Sequence, residues 1–212
     1  MKSKEVFNKK PLIYLITKGE LTQENFTEKK SEILKIIKSA AESNISLVQI
    51  REKKIPARLV FELTSEAVNI TQNSKTKILV NDRADIAFAA KGDGVHLTSN
   101  SIPTAIVRQN FPKDFIIGVS THSLETTLKA KNEGADFATF SPIFATVSKA
   151  KYGEPQGLKK LKKVCEKLEP FPIIALGGID ETNYELVLEN GASGFAAIRF
   201  LNSEEHLRKF VM

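Results

Sequence analysis

The stretch ISLVQIREKK, residues 45–54, changes character half-way along: a mostly apolar, β-branched run, ISLVQI, leads straight into Arg51, Glu52, Lys53 and Lys54. Continuous rather than alternating hydrophobicity marks a strand buried on both faces, as in a parallel sheet covered by helices. The charged end then marks where such a strand emerges into a loop. Seven other runs have a similar form: LIYLIT (12–17), KILVN (77–81), DGVHL (93–97), FIIGVS (115–120), ADFATFS (135–141), FPIIALG (171–177) and SGFAAIRF (193–200). Between them lie segments of helical period, clearest in EKKSEILKIIKSAAES, ARLVFELTSEAVNITQ and LKKLKKVCEKLE and shorter in RADIAFAA, PTAIVRQN, SLETTLKAKNE and ETNYELVLEN. Strict alternation of eight such pairs predicts an α/β fold, a single-domain (β/α)8 TIM barrel over residues 1–212. An open doubly wound sheet would carry a Gly-rich fingerprint after its first strand, and TKGELT is not one.

Composition narrows the chemistry. The chain has 212 residues, 42% hydrophobic and 26% charged, an ordinary balance for a globular protein. A formal net charge of +6 suits an anionic partner. The lysines are spread along the chain, however, and the dense run LKKLKKVCEKLE has the spacing of a solvated helix face. With no aromatic-interleaved basic stripe and no reader motif, nucleic acid is not expected, whereas a phosphorylated small molecule needs only a few placed cations. The single cysteine, Cys165, excludes an internal disulfide and multi-cysteine metal sites, and its helical setting favours a buried structural thiol over a nucleophile. His96, His122 and His206 lack close metal-ligand spacing. No apolar run reaches the roughly 18–20 residues of a membrane helix, and MKSKEVFNKK has no apolar signal core behind it. A cytoplasmic enzyme without a membrane partner is the expectation; homo-oligomer formation stays open.

In a parallel barrel the chemistry collects where strands meet the loops that follow them. Those junctions hold Thr17; Gln49, Arg51 and Lys53; Asn81, Asp82 and Arg83; His96; Ser120 and His122; Ser141; Gly177 and Gly178; Ile198 and Arg199. Strand parity puts Gln49, Arg51 and Lys53 on one side, where a guanidinium fork and an ammonium suit a pyrophosphate. A solvated strand end is the competing reading. Asp82 could hold Mg2+, a hard cation shared with substrate phosphates, or could cap the helix that begins near ADIAFAA. In ALGGID, residues 175–180, two glycines let backbone N–H groups approach a phosphate, or simply make a tight turn. The long connection SPIFATVSKAKYGEPQG, with Thr146, Ser148, Lys149 and Gly153, has the length of a functional flap. His96 and Tyr14 sit inside strands, where packing is the commoner role.

Together LIYLIT, VQIREK, VNDRADIA, GDGVHL, IGVSTHS, GADFATFSPIFATVSK, ALGGI and GASGFAAI, in that order over nearly the whole chain, resemble the thiamine phosphate synthase family, whose barrel also includes the TenI-type thiazole tautomerases. The resemblance implies a magnesium-dependent transferase joining hydroxymethylpyrimidine diphosphate to a thiazole phosphate with loss of pyrophosphate. Carried over by motif, Gln49, Arg51, Lys53, Asn81 and Lys149 would cradle the diphosphate, Asp82 would bind Mg2+, and Ser120 would lie against the pyrimidine and its leaving group. Gly178, Ile198 and Arg199 would hold the thiazole phosphate, with Thr146 near it. Lys149, Ser120 and His122 are the candidate catalytic residues. His122 matches the acid or base of the tautomerases, which need no metal; that activity, or a non-catalytic phosphate-binding barrel, is the alternative. Three positions depart from the family pattern: Lys18 stands where an Asp often follows the first-strand Thr, Ser101 where a second magnesium-binding Asp is usual, and Arg199 where a serine often ends the eighth strand.

Overall fold

All eight expected strands form. The computed structural model describes residues 2–8, 11–146 and 154–211. The strands are β1 (Leu12–Ile16), β2 (Leu47–Ile50), β3 (Lys77–Asn81), β4 (Gly94–Leu97), β5 (Ile116–Thr121), β6 (Phe137–Phe140), β7 (Ile173–Leu176) and β8 (Gly194–Ala197). They follow one another in chain order around a closed barrel. After them come α1 (Phe26–Glu42), α2 (Ala57–Thr71), α3 (Ala84–Ala89), α4 (Thr104–Asn110), α5 (Leu124–Asn132), α6 (Gly157–Leu168), α7 (Tyr184–Glu189) and α8 (Glu204–Arg208), one per strand. This is the TIM-barrel architecture that the alternating pattern predicts. Every residue of β1, β2, β4, β6 and β8 is buried, the condition that selects unbroken apolar runs over alternating ones.

Several strands are shorter than their runs. SGFAAIRF is apolar almost to its end, yet β8 stops at Ala197. Phe200 is a buried loop residue whose ring lies 4.9 Å from His206 and 6.3 Å from Phe210, so its hydrophobicity serves the C-terminal helix rather than the sheet. Local composition reports burial and is blind to where the ladder of backbone hydrogen bonds ends.

The chain divides into two compact units. One comprises Tyr14–His96 with Ile198–Met212. In it Lys30 of α1 reaches Glu62 at 2.8 Å and Glu66 at 2.7 Å on α2, and Lys35 of α1 meets Glu204 of α8 at 2.7 Å. Pairs this exposed add little stability. The other unit comprises Met1–Ile13 with Leu97–Ala197. There the Arg108 guanidinium donates to the Gly134 and Phe115 carbonyls, both at 2.9 Å, and to Asp136 at 2.6 Å. Asp136 in turn accepts from the Ile117 N–H at 2.8 Å and pairs with Lys4 at 2.6 Å, so one half-buried cluster ties α4 to the starts of β5 and β6. Cys165 is buried on α6, and burial pushes its thiol up to about 12, which removes it as a nucleophile.

Candidate active site

The cations of VQIREKK lie just past the end of β2. Because β2 stops at Ile50, strand parity does not extend to Arg51, Glu52 and Lys53, and their placement is set by loop contacts instead. The Arg51 N–H donates to Thr17 Oγ1 at 2.9 Å, and the Thr17 N–H to the Gln49 carbonyl at 3.0 Å, which joins this segment to the end of β1. Lys53 reaches solvent, but partial burial holds its ammonium below the ordinary lysine range. The Arg51 charge pushes the same way, and Asp82 opposes both. Two cations and one carboxylate from the ends of β2 and β3 therefore share one electrostatic neighbourhood.

At the end of β3, Asn81 is half-buried and Asp82 exposed. Asp82 adopts a left-handed backbone, φ 66°, tolerated best by Gly, Asn and Asp, and its N–H donates to the His96 carbonyl at 2.9 Å. The helix-cap alternative for Asp82 fails: α3 begins at Ala84 after Arg83, with no side-chain cap. Arg83 turns aside to hold Asp85 through two hydrogen bonds, at 2.8 and 2.5 Å. The left-handed turn leaves the Asp82 carboxylate exposed at the end of the strand.

Gln49, expected to face a phosphate, is only 2% exposed. Its Nε2 donates to the Tyr14 hydroxyl at 2.7 Å, and that hydroxyl lies 3.2 Å from His96 Nδ1. Tyr14 and His96 are thus satisfied core residues, as their positions inside strands suggest. Burial first, then the Arg51 charge, pushes His96 down to about 3. A folded value below that of the unfolded chain means that the unfolded chain binds the extra proton. The stability from keeping His96 neutral is therefore complete above about pH 6.5 and is lost as pH falls toward about 3. Urea midpoints measured at about pH 7 and about pH 4.5 should drop on acidification, and His96→Gln should shrink that drop. An equal drop in both proteins would contradict the assignment.

In the second unit Ser120 is half-buried at the end of β5. The His122 ring is exposed, and its Nδ1 lies 2.6 Å from the Ser141 carbonyl, which leaves Nε2 as the outward nitrogen. Gly177 and Gly178 both have positive φ, 103° and 68°. A Cβ on Gly177 would stand 2.8 Å from Pro142 Cα, and one on Gly178 2.8 Å from the Ala145 carbonyl. Close backbone approach therefore demands both glycines, whatever they bind. Thr146, on the connection after β6 and next to Ala145 in the chain, is half-buried, while Ser148, Lys149 and Gly153 lie outside the described residues. Ile198 is half-buried, and Arg199 is exposed. Glu204, five residues further on, pairs with Lys35 rather than with this guanidinium.

Among the described residues no three His, Cys, Asp or Glu side chains converge to form a metal cage. Ser101, which replaces a usual acidic ligand, turns inward on its own loop and accepts from the Thr98 N–H at 2.7 Å. Asp82 by itself still fits Mg2+, which commonly takes one or two carboxylates and completes its shell with water and substrate phosphates.

Residues 13–201 match the profile of the family described as thiamine monophosphate synthase, TMP-TENI. The chain belongs to this family. The thiamine-phosphate synthase of Clostridium tetani is 32% identical over 197 residues, 93% of this chain and 90% of its own. A chain of Aquifex aeolicus, assigned by inference as a second thiamine-phosphate synthase there, is 42% identical over 188 residues, 89% of this chain and 96% of its own. Among solved structures, the thiamine phosphate pyrophosphorylase from Pyrococcus furiosus superposes with a TM-score of 0.78 at 28% identity, covering 99% of this chain and 96% of that one. Two residues of this thiamine monophosphate synthase family member escape a reading by motif. Glu52 looks like a surface charge among lysines but is 5% exposed, and Asn202 bridges the Ile16 carbonyl at 2.7 Å and the Ile198 carbonyl at 2.5 Å. Glu52 finds its partners about thirty residues away and Asn202 joins its own loop to the distant end of β1, where no local pattern points.

Proposed function

We propose that this protein is a thiamine phosphate synthase that joins hydroxymethylpyrimidine diphosphate to thiazole phosphate. The observation that carries the proposal is the shared neighbourhood of Arg51, Lys53 and Asp82 beside Asn81 at the ends of β2 and β3. In the reaction the bond from the pyrimidine methylene carbon to the diphosphate oxygen breaks, and its electron pair leaves on the pyrophosphate. The thiazole nitrogen then donates its lone pair to that carbon, giving the thiazolium of thiamine phosphate. Such a step needs charge stabilisation of the leaving group more than it needs a general base.

Arg51 offers two parallel N–H donors to the diphosphate and Lys53 a point charge, with Asn81 as a neutral donor. Asp82 would hold Mg2+, which when bound neutralises diphosphate charge. We assign Gln49 to the pyrimidine diphosphate as well, through the part of its amide not spent on Tyr14. Ser120 is proposed to lie against the pyrimidine and Lys149 to contact the diphosphate. Gly178, Thr146, Ile198 and Arg199 are proposed for the thiazole phosphate. The outward Nε2 of His122 supports a second reading, metal-free tautomerisation of a carboxythiazole phosphate.

Incubation of the purified protein with both substrates and Mg2+ should yield thiamine phosphate and pyrophosphate in equal amounts, and no product at saturating Mg2+ would sink the synthase reading. Asp82→Ala should raise the Mg2+ needed for half-maximal rate by about tenfold or more. Under the tautomerase reading Asp82→Ala does little, and His122→Ala abolishes aromatisation.

A further inference from the structure

Glu52 stands between two cations in sequence and pairs with neither. Its Oε1 accepts the Gly19 N–H at 3.1 Å and its Oε2 the Leu21 N–H at 3.0 Å, so both carboxylate oxygens grip the loop between β1 and α1. That loop lies directly against the Arg51 side chain. Gly19 has φ 77°, and a Cβ there would stand 3.3 Å from Arg51 Nη1 and 3.1 Å from the Arg51 carbonyl. The loop and Glu52 also border a half-open pocket of about 290 Å³, lined in part by Lys18, Leu21, Ile33, Ile36 and Asn202. The two hydrogen bonds of the carboxylate hold the loop at this short distance from Arg51.

We infer that Glu52 is a positioning residue that holds the β1–α1 loop against the Arg51 guanidinium and so fixes the fork that receives the diphosphate. The inference rests on the synthase reading for the identity of the anion. A charge argument predicts the opposite sign of effect. A carboxylate close to two cations lowers the positive potential of the site, so neutralising it should tighten anion binding if charge alone mattered. Positioning predicts that neutralising it weakens binding, because glutamine keeps one acceptor and turns its NH2 toward a second backbone donor.

Calorimetric titration of the whole protein with pyrophosphate at fixed Mg2+ tests this, with thermal melting as the control for folding. Glu52→Gln should weaken pyrophosphate about tenfold and raise KM for the pyrimidine diphosphate in parallel, while KM for the thiazole phosphate stays put. Unchanged or tighter pyrophosphate binding in a natively melting Glu52→Gln protein overturns the inference. If that variant does not fold, Gly19→Ala decides, because it crowds Arg51 with Glu52 intact: the same selective loss supports positioning, and unchanged binding overturns it. A wild type that binds pyrophosphate but makes no thiamine phosphate removes the synthase reading and leaves the Glu52 measurement valid. One that binds no pyrophosphate overturns both.

Discussion

Arg51→Ala is expected to lower kcat/KM for the pyrimidine diphosphate by roughly 100- to 1,000-fold, as loss of one preorganised donor to a developing anion does elsewhere. The effect is large because the pyrophosphate gains charge as the carbon–oxygen bond breaks. In the proposed reaction a guanidinium held beside the loop of Gly19 would receive that charge with little reorganisation. Arg51→Lys should recover part of the loss, since an ammonium replaces the charge but not the two-pronged geometry. KM for the thiazole phosphate should stay near its wild-type value in both variants. Steady-state kinetics with each substrate varied in turn measures all three quantities. A loss under about threefold in Arg51→Ala would mean that the diphosphate is held elsewhere.

Gly194→Ala is expected to cost more than about 4 kcal/mol, enough to deplete the native state. A Cβ at Gly194 would stand 1.9 Å from the Leu12 carbonyl oxygen and 2.6 Å from its carbon. These are backbone atoms, and the Leu12 N–H donates at 2.9 Å to the carbonyl of Ser193, the residue before. Relief would have to break the approach of β8 to β1. Gly157 provides the contrast: its φ is 70° but nothing lies within 4 Å of a Cβ, so Gly157→Ala should cost only the left-handed backbone penalty of about 1 kcal/mol. Urea unfolding of both variants beside the wild type checks the pair. A Gly194→Ala protein with a native midpoint would contradict the packing described for this strand.

Much of the proposed site is legible in VQIREKK and VNDRADIA because residues of one strand end share a location by chain connectivity alone. Arg51 and Lys53 cannot be far apart, and the order of strands brings Asp82 next to them once β2 and β3 pair. What the motif hides is the work of the intervening residue. Parity along an imagined longer β2 would send Glu52 away from the cations and out to water. The strand instead ends at Ile50, and the carboxylate turns in to bind backbone N–H groups at residues 19 and 21. Gln49 shows the same limit: its type suggests a phosphate ligand, and its burial commits one nitrogen to Tyr14.

The residues alone determined eight buried strands, the helical segments between them, their order and the cationic strand ends, because side-chain periodicity and burial are local properties repeated within each element. Only the tertiary structure decided that Asp82 takes a left-handed backbone, that Glu204 belongs to Lys35, and that Glu52 braces the loop against Arg51. Those outcomes depend on hydrogen-bonding and ionic partners from distant parts of the chain, and such partners are chosen by the geometry of closed packing rather than by any pattern in the neighbouring sequence.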